Sequence, residues 1–208
     1  MQIDFYGGNC IRIKTKKTSV VFDDNLKALG LKSVTTDDDV AVVTNETLIG
    51  APDKSKILFT LPGDYEVGDV MLTGVAARAH IDEEGTKSST IFRGMAEDMR
   101  FVVTGHIHAE LSDEQLEEIG MVDILFIPVG GAGYTMDGIA AAKVVKSLQP
   151  KLVVPTHFDF KGAKYEVPQN STEEFIKALG IEPKEHSGST LKIKKADLTE
   201  VTQVAVLV

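Results

Sequence analysis

The chain has 208 residues, enough for one large domain or two small ones with a full core. A charged fraction of 25% and a hydrophobic fraction of 43% are ordinary for a globular protein, and the net charge of −9 argues against a nucleic-acid backbone as the main partner. No apolar run approaches a membrane span, MQIDFYGG carries neither basic region nor cleavage signal, and the single cysteine, Cys10, excludes an internal disulfide framework. A cytoplasmic protein is the expectation.

From Met1 to Val75 the pattern is β-rich. Ile3/Phe5, Ile11/Ile13 and Val20–Phe22 read as strands joined by Gly7-Gly8-Asn9 and by a Lys16-Lys17-Thr18 turn. A less regular segment, Asn25–Asp39, follows. Strands are predicted next at Val40–Thr44, Lys56–Thr60 and Val70–Gly74, with Pro62-Gly63-Asp64 as turn punctuation. Ile81–Gly85 is a polar turn, and Ser89–Arg93 reads as an edge strand. The lysines at 14, 16 and 17 and at 192, 194 and 195 alternate along strand-like segments, so a solvated sheet edge explains them.

The stretch from Met99 to Phe160 changes character. Three apolar runs, Arg100–Val103, Asp123–Val129 and Lys151–Pro155, alternate with two helical patterns, as in βαβ units with buried strands. Ser112 with Gln115 forms a capping box for Asp113–Ile119, which Gly120 stops. Asp137 caps Gly138–Leu148, and Ser171 with Glu174 caps Thr172–Leu179. Strands at Thr190–Lys194 and Gln203–Leu207 complete the chain. No linker, repeat or low-complexity tract interrupts it, so residues 1–208 read as a single domain. A strand meander followed by alternating βα units predicts an α/β sandwich of two packed sheets with helices outside.

Function in such sheets collects beyond the carboxyl ends of the strands. The first run opens into Gly105-His106-Ile107-His108, the second into Val129-Gly130-Gly131 and the third into Thr156-His157-Phe158. His106 and His108 share a side on an extended backbone and diverge in a turn. Gly130-Gly131 reads as close backbone packing, since no P-loop lysine follows. His186, in a polar turn, reads as solvated.

MQIDFYGGNCIRIKT followed by SVVFDD, then LPGDYEVGDVMLTGV, ELSDEQLEEIGMVDILFIPVGG, YTMD and LQPKLVVPTHFD, resemble the metallo-β-lactamase superfamily, in its branch of small metal-dependent hydrolases that includes ascorbate-6-phosphate lactonase-like proteins. The resemblance runs nearly end to end and implies a four-layer αβ/βα sandwich with two mixed sheets face to face. It also implies a His-x-His-x-Asp-His motif after Val40–Thr44, and here the sequence departs from the pattern. Asn45, Thr47, Ile49 and Gly50 stand at the four metal-binding positions, none with good zinc-ligand chemistry. His80 and His157 match two later ligand positions, and His106 stands where the family has a bridging Asp.

Two functions follow. The first is a superfamily fold that has lost its dinuclear zinc centre and binds a small ligand or a protein partner. The alternative is a rebuilt hydrolase with one zinc or other divalent metal on His80, His106 and His157, acting on an ester, lactone or phosphodiester. Asp82 and Asp137 would then orient the ligands from behind.

Overall fold

The computed structural model describes residues 1–184 and 188–208, so the expectation for His186 lies outside the described residues. Thirteen strands and four α-helices alternate along the described residues. The first half contains β1 (Gln2–Gly7), β2 (Cys10–Lys14), β3 (Ser19–Phe22), β4 (Val40–Val42), α1 (Glu46–Ile49), β5 (Ile57–Phe59), β6 (Gly63–Val67), β7 (Val70–Ala77) and β8 (Ser89–Ala96). The second contains β9 (Met99–Val103), α2 (Asp113–Ile119), β10 (Ile124–Pro128), α3 (Gly138–Leu148), β11 (Leu152–Thr156), α4 (Glu173–Leu179), β12 (Thr190–Lys192) and β13 (Gln203–Val204).

These strands form two mixed sheets. One has the order β12-β1-β2-β3-β4-β5, and the other has the order β13-β11-β10-β9-β8-β7-β6. Strand alternation divides the first sheet's side chains between two surroundings. Ile11, Ile13, Val20 and Phe22 enter the main core, while Cys10 and Val21 face the other way, against Leu26, Leu31 and Val34 of the irregular segment. Phe22 meets Phe92 and Phe101 of the second sheet edge-on, with ring centroids 6.4 and 6.1 Å away, so aromatic rings join the two sheets. On the second sheet α2 lies against β7, and α3 against β10 and α4. The fold is an α/β sandwich. No helix of the described residues is long and apolar enough to cross a membrane.

Several sequence expectations change. Ser89–Arg93 is not an edge: β8 runs to Ala96 between β7 and β9. Its polar start resembles an exposed strand, but Ser89 Oγ accepts from Asn45 Nδ2 at 3.0 Å and Thr90 N donates to Thr44 O at 2.7 Å. The edge is β6, which grows out of the supposed Pro62-Gly63-Asp64 turn and folds back onto β7 through Gly68-Asp69. Asn45 caps the single turn of α1, accepting from Leu48 N at 3.0 Å. The capping box at Ser171 and Glu174 does not form; Glu174 instead accepts from Gly138 N, 3.2 Å away, at the start of α3.

Candidate functional site

Four histidines gather beyond the carboxyl ends of β9 and β11. The bridge between Ala79 and Ile107 sets two of the segments side by side: His80 N donates to His106 O at 2.8 Å, and His108 N donates to Arg78 O at 2.9 Å. The rings sort into two pairs. His106 and His157 meet edge-to-face with centroids 4.9 Å apart, while His80 stacks near-parallel on His108 at 6.3 Å. His106 and His108 therefore diverge.

Backbone geometry positions the first pair. Gly105 has φ +61°, and a Cβ there would run into the Thr44 side chain. His157 itself sits at φ +48°, an uncommon conformation for a residue with a side chain, held by donation of its N–H to Gly8 O at 2.7 Å. A Cβ on Gly130 would strike the His157 carbonyl and the Gln169 side chain, so that glycine permits the loop's approach.

Each ring of this pair is tied to a side-chain amide. His106 Nδ1 lies 3.1 Å from Asn9 Nδ2, and Asn9 Oδ1 accepts from the Thr156 hydroxyl at 2.8 Å. His157 Nδ1 lies 3.1 Å from Gln169 Oε1, while Gln169 Nε2 donates to Val167 O at 3.1 Å. Burial holds the pKa of His106 well below the usual imidazole value, and His157 and His80 push it the same way. Burial also lowers His157, against the opposing effect of its hydrogen bond to Gln169 Oε1. Burial therefore favours the neutral form of both rings.

The pair lines a cleft of about 180 Å³, with buried Gln169 beside it, Leu48 of α1 as an apolar wall, and exposed Lys164 and Glu166 as its rim. Tyr165 closes one side. Its hydroxyl donates to Phe158 O at 2.9 Å and accepts from Gly8 N at 3.2 Å, with its ring 5.1 Å from that of His157. Asn25 also lines the cleft, and its Oδ1 is buried without a hydrogen-bond partner.

His80 is not among the lining residues. Its pKa is lowered by burial and by His108, and its Nδ1 is buried without a partner. Asp82 does not orient that ring. Its carboxylate accepts from Ala79 N, Ser88 N and Ser88 Oγ, which closes the 79–88 turn. Asp137 accepts from Ala140 N at 2.7 Å as the cap of α3, and only its charge reaches His80. Among the described residues, no three His, Cys, Asp or Glu side chains converge as a set able to hold a metal ion. Sequence reasoning missed Asn9, Gln169 and Tyr165; a Gly-Gly-Asn turn is the only local signal for the first, and the other two have none.

The comparisons agree with this architecture. A metal-dependent hydrolase of Bacillus velezensis in the UPF0173 group is 22% identical over 93% of this chain and all of its own length. YtkL of Bacillus subtilis, also described as a UPF0173 metal-dependent hydrolase, is 24% identical over 86% of this chain and 93% of its own. The crystal structure of a Thermotoga maritima protein of the metallo-β-lactamase superfamily superposes with a TM-score of 0.76 at 23% identity, covering 100% of this chain and 98% of that one. Residues 2–157 match the family described as the beta-lactamase superfamily domain, and the chain belongs to that superfamily.

Proposed function

We propose that this chain keeps the superfamily fold without a dinuclear metal centre, and that its His106–His157 cleft binds a small, uncharged polar molecule. The observation that carries this reading is the donor set. Two buried imidazoles stand together, each with Nδ1 engaged by an amide, and among the described residues no third His, Cys, Asp or Glu completes a metal set with them. Two metals in one centre require more ligands than this, including negatively charged ones that offset the ions' charge. Asn45, Thr47, Ile49 and Gly50 supply none, being occupied in and around the turn of α1. The relatives' description as metal-dependent hydrolases therefore stays with those relatives.

One observation favours a second reading, in which His80, His106 and His157 hold a single ion. The unpartnered Nδ1 of His80 is a free donor on a segment bonded to His106. Elemental analysis of the purified chain, with thermal melting in added zinc and in chelator, separates the two. The binding reading expects no copurified metal and an unchanged Tm. One zinc per chain, with a zinc-dependent Tm that His157→Ala abolishes, would establish the single-ion site instead.

A further inference from the structure

Helix α2 covers only part of the outer face of the second sheet. It docks on β7 at Gln115, whose Nε2 donates to Ala76 O at 2.8 Å. Close by, Val75 of β7 pairs with Ile91 of β8, and both side chains are buried. The helix has seven residues and stops at Gly120. Beyond its end, two rungs of the same face stay open, because side chains two apart on a strand share a side. One rung sets Thr73 beside Arg93 and Arg93 beside Val102; the next sets Met71 beside Met95 and Met95 beside Arg100. With Ile119 and Met121 as a wall, the rungs floor a groove of about 400 Å³, within the range of small-molecule sites and sharing no residue with the His106–His157 cleft.

Methionine dominates the apolar part of this groove. Met71, Met95 and Met121 are 46%, 38% and 73% exposed, whereas Met99 and Met136 are fully buried elsewhere. Unbranched thioether side chains are flexible and polarizable, so they adapt to a linear hydrocarbon. The charge of the groove is one-sided: two arginines line it and no acidic side chain does. Arg100 is already engaged, its Nε and Nη2 donating to the Asp123 carboxylate at 3.0 and 3.2 Å. Arg93 makes no hydrogen bond or ion pair among the described residues. The acid on its own row, Asp64 of β6, accepts instead from the Thr73 hydroxyl at 2.8 Å. We infer that this groove binds an unbranched, medium-chain fatty acid, with the carboxylate on Arg93 and the chain against the three methionines. The guanidinium fork matches a carboxylate, and one unpaired cation balances a monoanion better than a phosphate dianion. An anion without an apolar tail leaves the methionines uncovered. The site is separate from the cleft and holds whichever way the cleft is read.

The test uses the full chain, labelled at its methionine methyl carbons and titrated with octanoate, octan-1-ol and butyrate. The expected result is that the methyl resonances of Met71, Met95 and Met121 move with octanoate while that of Met136 stays. Octan-1-ol lacks the charge and butyrate most of the chain, so each should bind at least about tenfold more weakly. Arg93→Gln should abolish the preference for octanoate over octan-1-ol, and Met95→Gln should weaken both. Both side chains are exposed, and an unmoved Met136 resonance reports that each variant keeps its fold. Equal affinity for octanoate and octan-1-ol, a preference that survives Arg93→Gln, or resonance shifts that include Met136 would overturn the inference. So would a self-associated chain whose three methyl groups are already shielded, which would give the groove to a second copy. Binding to phosphatidylcholine vesicles but not to soluble octanoate would give it to a membrane and overturn the inference equally.

Discussion

Three buried titratable side chains make opposite demands on pH. His106 and His157 have folded pKa values below the ordinary imidazole value, so the unfolded chain protonates first as pH falls. Their contribution is present above about pH 6.5 and is lost as pH drops below it. Asp23 behaves inversely. Burial raises its pKa from 3.8 to about 6, although Thr44 N and Thr44 Oγ1 each donate to it at 2.7 Å. Its contribution is full below about pH 4 and is lost as pH rises through about 6, a difference of at most about 3 kcal/mol. Asp23→Asn should therefore gain stability relative to the parent between pH 4 and 7, measured by urea unfolding; a constant difference across that range would refute the buried ionisation. At the site, Asn9→Ala leaves His106 Nδ1 and the Thr156 hydroxyl without their shared partner. The expected loss is about 1–3 kcal/mol by the same measurement.

At the scale of elements, the helices show where local rules hold. Ser112 and Gln115 form the predicted box, with Gln115 N donating to Ser112 Oγ at 3.2 Å and Ser112 N to Gln115 Oε1 at 3.0 Å. Asp137 likewise caps α3 as expected. The third cap failed because Glu174 found a tertiary partner, the Gly138 N–H of α3, in place of its own helix start. That contact marks a close crossing. A Cβ added at Gly138 would lie 2.8 Å from Phe175 Cα, and neither backbone can give way without parting the helices. Gly138→Ala should cost about 1–3 kcal/mol despite alanine's better helix propensity, read as a lower urea midpoint with an unchanged m-value. A neutral or stabilising result would mean the helices slide apart freely.

For the whole molecule, stability rests on the joining of the two sheets. Phe22, fully buried on the first sheet, contacts Phe92 and Phe101 on the second. Phe22→Ala should remove about 3–5 kcal/mol, with calorimetry showing one cooperative transition at lower Tm. Two separate transitions would mean that the sheets fold independently, against the single shared core that both supply.

Much of this architecture was legible in the sequence, because its signals are local. Period-two apolar pairs marked β1 and β2, short apolar runs marked β3, β9, β10 and β11, and capping residues marked α2 and α3. The polar residues beyond those runs marked the carboxyl ends of the strands, where two histidines, His106 and His157, meet. What no local pattern held was the choice of partner. Asn9 reaches His106 across 97 positions, Gln169 comes to His157 from a loop without any motif, and His80 turns to His108 and away from the cleft. The same long-range pairing buried the polar start of β8 and left β6 at the edge. Periodicity records which face of an element is apolar, whereas hydrogen-bond partners, tautomers and burial depend on which distant groups the closed sandwich brings within a few ångströms; only the tertiary structure decides those.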